Sequence, residues 1–428
     1  MLSVTLVVLL VLLVLSVPVA AALVVLGLTL DQVFAAFPLY RAMGEVLWSG
    51  SQDFILIAIP FFILLGEILV RAGVAENTYK TLDNWLSRLP GGLIHANIGT
   101  AALFSATSGS SVATAATVGT VALPQARKLG YDERLFAGSI AAGGTLGIMI
   151  PPSINLIIYG FLTETSIPRL FAAGLVPGLL LALLFMASVV VIALISPKLA
   201  GPPARAVDWA TRWRTMVHLL PVLLLFVVII GSIYAGIATP TEAAALGVIA
   251  ALALAAFNRR LTLGMLRAAV EGTVRTTAMI MLIILAANFL NFVLASVGLA
   301  DELTAFLSSL GLSGLGTLLV VVLVYLVLGF FVETLSLMVI TIPIVAPIVF
   351  NLGYDPVWFG VLLILLIEMA LITPPIGLNL YVVQGVRGGG SLNDVMVGAI
   401  PFVLIMLAMA ALLIALPDLA LWLPELLH

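Results

Sequence analysis

Cysteine is absent from this chain, so disulfides, thiolate metal sites and cysteine nucleophiles are excluded. Charge is scarce too. Only 9% of the residues are charged, against about 25% in a soluble domain, so a soluble fold is ruled out. No Gly-Lys-Ser/Thr phosphate loop occurs and no loop is long enough to house a nucleotide domain, which disfavours an ATP-driven pump. The three histidines, His95, His218 and His428, are scattered and form no His-Glu-x-x-His, so a zinc enzyme of the membrane lacks its ligands. His95, at the entry to a segment discussed below, reads as an interfacial residue. With 17 cations and a net charge of -3 the chain has no basic surface for nucleic acid. No Lys or Arg precedes Arg41, so the opening run lacks the cationic start of a signal peptide and reads as a retained helix.

What fills the chain is apolar: 63% of its residues are hydrophobic. Runs of about 20 residues, each able to cross a hydrocarbon core of about 30 Å, recur at 2–30, 54–70, 170–195, 219–236, 241–257, 272–296 and 395–416. The reading is an all-α polytopic membrane protein with lipid as its surroundings. Cations mark the cytoplasmic side. Arg71, Lys80 and Arg88 form one cluster, and Arg127, Lys128 and Arg134 the next; only Arg41 and Arg169 fall opposite. Both clusters are cytoplasmic only if the Ser/Thr/Gly-rich stretch between them enters the membrane and returns. That predicts a re-entrant hairpin over about 91–124, its tip at Ser108–Ser111, with half-helices of roughly 15 residues, too short to span. The alternative is one helix packed through small residues.

An internal repeat favours the hairpin. Leu123–Gly138, LPQARKLGYDERLFAG, is echoed by Ala346–Gly360, APIVFNLGYDPVWFG, and a shift of 223 also carries Pro151-Pro152 onto Pro374-Pro375. The first copy has basic flanks, whereas no Lys or Arg occurs from 276 to 386. The copies therefore face opposite sides, as in secondary transporters built from inverted repeats. The second hairpin is expected over about 314–350, carrying Glu333 at its tip.

Each hairpin is followed by a helix broken at a double proline, over about 135–162 and 357–385. Proline cannot donate to the carbonyl four residues back, so the pairs are expected to free Gly147 and Ile148 in one copy and Ala370 and Leu371 in the other. Free carbonyls suit a hard cation and new helix starts suit an anion. The candidate ion and substrate residues are thus Ser108, Gly109, Ser110 and Ser111 at the first tip, and Gly147, Ile148, Pro151, Pro152, Ser153 and Asn155 at the first break. Glu333 and Thr334 join them at the second tip, with Ala370, Leu371, Thr373, Pro374, Pro375 and Asn379 at the second break. Among acids in apolar runs, Glu333 and Glu368 are favoured for function, while Glu67 precedes Arg71 at helical spacing and reads as an ion pair. Asn288 and Asn291 read as interhelical hydrogen-bond partners.

The stretches SATSGSSVATAATVGTVALPQ, AAGGTLGIMIPPSINLIIYG and ITPPIGLNLYV resemble the large membrane subunit of the tripartite ATP-independent periplasmic (TRAP) transporters, over nearly the whole chain. The resemblance implies sodium-coupled uptake of an organic acid such as a dicarboxylate or sialic acid, by an elevator movement, with no cofactor beyond sodium and no enzymatic role. It also implies a periplasmic substrate-binding protein and a small four-helix membrane subunit, here separate polypeptides, and a bacterial or archaeal cytoplasmic membrane location. On that reading 1–88 and 206–311 form a scaffold and 89–205 and 312–428 a transport domain. Amphipathic stretches at 75–89 and 300–310 would link them as arms. The N-terminus is expected in the cytoplasm and the C-terminus outside. A self-sufficient sodium symporter and an ion channel are the rival readings.

Overall fold

The computed structural model describes residues 1–199, 201, 207–299, 302, 311–330 and 332–427, leaving aside the side chains of residues 2, 13, 14 and 106–108. Twenty α-helices and no strand are present among the described residues. Seven helical stretches are long and apolar enough to cross a membrane, eight with one bent pair counted as a single span.

The opening apolar run is two helices, α1 (Leu2–Val14) and α2 (Val19–Phe34), where the sequence predicts one. Pro18 lies between them and Ser16 adopts φ 54°; proline lacks the N–H that would continue the ladder and disfavours helix in the residue before it. Next come α3 (Met43–Ser51), α4 (Ala58–Arg71) and α5 (Val74–Leu86). The first hairpin follows as α6 (Leu93–Ser108) and α7 (Ser111–Leu129), and the first broken helix as α8 (Glu133–Met149) and α9 (Ile154–Thr163), bent by 42°. Then come α10 (Ile167–Ile195), the short α11 (Trp209–Met216), α12 (Leu220–Tyr234), α13 (Pro240–Phe257) and α14 (Leu263–Val297). The second copy runs through α15 (Gly314–Gly329) and α16 (Thr334–Asn351), then α17 (Pro356–Ala370) and α18 (Leu378–Arg387), then α19 (Leu392–Ala415). A last helix, α20 (Asp418–Leu427), packs on α10 and α17 and has no counterpart in the sequence reading. The returning arms α7 and α16 have 19 and 18 residues, longer than the half-helices expected. The arm at 75–89 is the helix α5, packed on α6, α7 and α11; the arm at 300–310, apart from residue 302, lies outside the described residues.

Both broken helices start alike. Asp132 caps α8 by accepting from the N–H groups of Arg134 (2.9 Å) and Leu135 (3.3 Å), and Asp355 caps α17 by accepting from Val357 (2.7 Å) and Trp358 (3.0 Å). They run antiparallel. Near the start of α8, Arg134 pairs with Asp394 (3.1 Å), and the buried Arg387, ending α18, donates through Nε to Glu133 (2.7 Å). Arg127 Nη2 donates to the Arg387 carbonyl (2.6 Å). At the opposite end, the Tyr159 hydroxyl of α9 donates to the Pro356 carbonyl that begins α17 (2.6 Å). Two like-built elements crossing head to tail are what an inverted repeat requires.

Lipid tails are as apolar as leucine, so helices in a membrane gain by close contact and not by leaving water. The tightest contact here joins α8 to α19 through Gly138 and Gly398. A Cβ added at Gly138 would lie 2.1 Å from the Gly398 carbonyl, and one at Gly398 would lie 1.8 Å from the Arg134 oxygen. Only glycine allows that approach. Aromatic packing adds to it: Phe185 of α10 meets Phe402 of α19 edge-on at 5.3 Å, and Trp358 Nε1 donates to the Leu413 carbonyl (2.9 Å). A second group, α2, α4, α13 and α14, packs largely on itself.

Candidate functional site

Where the two groups of helices meet, a cavity of about 320 Å³ is lined by residues from both. The first hairpin contributes Gly109–Ala113, the first break Ile148, Ile154 and Asn155, the second hairpin Glu333–Leu335 and the second break Leu371. Glu67 of α4 and Thr276 of α14 close the other side.

Local chain chemistry explains why helix ends gather there. Gly109 takes φ +58° and ends α6; Ser110 then caps α7, its hydroxyl accepting from the Ala113 N–H (3.4 Å). Ser153 caps α9 by accepting from Leu156 (3.3 Å), and Glu333 caps α16 by accepting from the Ser336 N–H (3.1 Å) and hydroxyl (3.0 Å). The first residues of three helices, Ser111 and Val112, Ile154 and Asn155, and Thr334 and Leu335, therefore border one cavity. Unpaired N–H groups and the positive end of the helix dipole make each such start attractive to an anion, by typically 0.3–1 kcal/mol and up to about 2 when partly buried. Two carboxylates, Glu67 and Glu333, oppose them, and among the described residues no Lys or Arg lines the cavity. Glu67 is neutralised by its ion pair with Arg71, as the spacing predicts, while Glu333 has no cation within 4 Å among the described residues.

Of the sequence-predicted residues, Gly109, Ser110, Ser111, Ile148, Asn155, Glu333, Thr334 and Leu371 border the cavity. The Ser108 side chain lies outside the described residues. Gly147 sits behind the tip, where an added Cβ would meet the Ser110 carbonyl at 2.8 Å. Pro151, Pro152, Ser153, Ala370, Thr373, Pro374, Pro375 and Asn379 are in the broken segments but away from the cavity wall. The second break differs from expectation. The Ala370 carbonyl accepts from the Thr373 N–H (3.3 Å) and the Leu371 carbonyl from the Asn379 N–H (3.0 Å), so neither is left unpaired. The chain doubles back after Pro375 and refills the bonds that proline removes. His95, at the entry to the first hairpin, is fully buried within the protein, its Nε2 2.7 Å from the Pro90 carbonyl. Asn291 keeps its Oδ1 without a partner, so the expected interhelical hydrogen bond through that oxygen is not made.

Two buried polar residues bind the repeats together beside the cavity. Glu368 of α17 is fully buried and accepts from the Ser111 hydroxyl, leaving Oε1 without a partner. Asn379 Nδ2 donates to the Ala141 carbonyl (3.3 Å) and its Oδ1 is unpartnered. Asn155, also buried, leaves Nδ2 unpartnered at the cavity. The α4 and α14 wall is what the sequence reading missed; an acid after Gly66 in an apolar helix was the available signal.

A hairpin tip and a proline-broken helix from each of two inverted copies, meeting at one cavity, belong to a transporter. Residues 6–419 match the family model described as the tripartite ATP-independent periplasmic transporter, DctM component. The chain belongs to this family. It is 36% identical over 386 residues to the C4-dicarboxylate TRAP transporter large permease protein of Pseudomonas aeruginosa, covering 90% of each chain. It is 33% identical to the sialic acid TRAP large permease of Vibrio cholerae, covering 90% and 89%. The isethionate TRAP permease DctMQ of Oleidesulfovibrio alaskensis is 32% identical, with 92% of this chain matching 62% of that protein. The YdaH transporter of Alcanivorax borkumensis shares the fold, with a TM-score of 0.66 at 16% identity over 94% of this chain and 97% of that one. As a DctM-family large permease the chain is a multi-pass protein of the cytoplasmic membrane, and its relatives are named as transport subunits, not enzymes.

Proposed function

We propose that this permease carries a small organic anion inward, driven by sodium, with both hairpins and both broken helices moving as one body past the α2, α4, α13 and α14 scaffold. The observation that carries the reading is the cavity bordered by three helix starts and two carboxylates. Its volume suits a small organic acid. Three helix starts offer an anion a few kcal/mol at most, and an ionised Glu333 in the same wall opposes it at comparable strength. Bound cations tip that balance. Oxygen donors from Ser110, Ser111, Asn155, Glu333 and Thr334, without any thiolate, suit a hard ion such as sodium.

The substrate class is supported by relatives whose names specify C4-dicarboxylate, sialic acid and isethionate. The family is tripartite by description, and the DctMQ relative extends well beyond the part this chain matches, which supports a separate small membrane subunit beside a periplasmic binding protein. Movement is supported by two flanking cavities at equivalent places in the repeats. One, of about 880 Å³, borders Thr120, Val121 and Pro124; the other, of about 380 Å³, borders Pro343, Ile344 and Pro347. Unequal volumes in equivalent places fit a carrier at one end of its travel. The cation distribution supports a cytoplasmic N-terminus and an external C-terminus.

Reconstitution with the small subunit and the loaded binding protein tests the reading, with succinate as the first probe. Uptake should require a sodium gradient. Undiminished uptake with choline in place of sodium removes the coupling; saturable uptake of free succinate by this chain alone replaces the tripartite assignment by a self-sufficient symporter.

A further inference from the structure

Outside the transport site, the junction of α5 with α11 holds a buried guanidinium with no ion-pair partner among the described residues. Arg212 is 3% exposed, its Nε and Nη2 have no hydrogen-bond partner, and no carboxylate lies within 4 Å of it among the described residues. Its backbone carbonyl is engaged, accepting from Trp85 Nε1 (3.2 Å) and the Thr215 hydroxyl (3.0 Å), which fixes the side chain's root. What it does have is a ring. The Arg212 guanidinium carbon lies 5.2 Å from the Trp209 centroid, and that of the exposed Arg88 lies 5.6 Å from the same centroid. A cation–π contact gives roughly 0.5–2 kcal/mol, whereas leaving a charge buried without its partner costs several. The deficit calls for an anion.

We propose that the α5–α11 junction binds the phosphate of an anionic membrane lipid between Arg212 and Arg88, with the Trp209 ring as its flank. Three further features select a lipid over a soluble anion. Trp209 and Trp213 are 57% and 61% exposed, both edge-on to Trp85 (6.2 and 5.4 Å); exposed tryptophans on a short helix feeding a membrane span mark headgroup level. Directly along the chain, Val217, Leu220 and Leu224 are exposed and apolar, giving acyl chains a surface to lie on. From residue 198 to 214 the chain carries Lys198, Arg205, Arg212 and Arg214 against Asp208 alone. Bound there, the phosphate bridges α11 to Arg88, two residues beyond the end of α5, so the lipid tightens that junction.

Purified wild-type chain in nanodiscs of phosphatidylglycerol should melt higher than in phosphatidylcholine, and should retain phosphatidylglycerol about tenfold better than phosphatidylcholine on native mass spectrometry. Arg212→Gln and Arg88→Gln should each abolish the preference, while Arg267→Gln, whose arginine pairs with Glu271 on the surface, keeps it. Because the wild-type comparison needs no variant, a poorly folding Arg212→Gln does not blunt the test. Equal melting in the two lipids overturns the proposal. The same stabilisation by millimolar inorganic phosphate in phosphatidylcholine assigns the site to a soluble anion instead, and displacement of retained lipid by the small membrane subunit assigns it to a protein partner; either outcome overturns the lipid reading.

Discussion

Ser110 and Glu333 stand at the same place in the two copies, each capping the returning arm of its hairpin. The backbone task is identical, since both side chains accept from an N–H of the following turn. The charge is not. One tip presents a neutral hydroxyl and the other a carboxylate, and Ser111 faces Glu368 where the second copy has no matching pair among the described residues. The breaks diverge as well: Ser153 caps α9 through its side chain, but α18 starts from Gly377 at φ 44° with no side-chain cap. A repeat thus preserves the frame while its two tips differ in charge.

The largest effect should come from the frame. Gly138→Ala drives a methyl group into the α19 backbone, whereas at the equivalent Gly360 an added Cβ meets side chains, Tyr159 at 2.6 Å and Leu170 at 2.9 Å, which can shift. Overpacking costs about 1–3 kcal/mol; Gly138→Ala should fall at or above the upper end and Gly360→Ala near the lower, read as melting temperature in detergent. Equal losses would mean that the two contacts are equivalent after all. A smaller effect separates the breaks. Asn155→Ala should raise the sodium concentration for half-maximal uptake about tenfold, or ~1.4 kcal/mol, with little change in melting. Asn379→Ala should do the reverse, losing about 1 kcal/mol of stability by removing the bond to Ala141 while the sodium requirement stays put. If both shift sodium alike, the buried asparagine belongs to the ion site.

The smallest effect is on activity itself. Single cysteines at 88, 127, 169 and 355, in a chain with no cysteine background, should leave uptake nearly intact. Labelling is expected from the cytoplasm at the first two and from outside at the last two. Opposite sides for 88 and 127 would undo the hairpin, and the same side for 127 and 355 would undo the inversion.

The hairpins and breaks were legible because their signals are local: serine, glycine and paired prolines inside apolar sequence, repeated at one spacing. Their meeting at one cavity was legible only through the repeat. The wall from α4 and α14 was not, since Glu67 reads as half of an ion pair and nothing near it in sequence says what it faces across the cavity. The second break misled for a related reason. Proline does remove the helical bonds, but the Asn379 N–H that satisfies Leu371 arrives from eight residues on, around a turn that local pattern does not encode. The split of the first run at Pro18 was available and was outweighed by uninterrupted hydropathy.

Arg387, clamped between Glu133 and Asp394, bears on how the protein is made. It is the only Lys or Arg after residue 275, and the folded protein spends it inside. A ribosome feeding the second copy into the membrane therefore supplies almost none of the cationic cues by which loops are retained on the cytoplasmic side. The inverted half must inherit its direction from helices already inserted, so a fragment starting near residue 312 would enter the bilayer without a preferred sense.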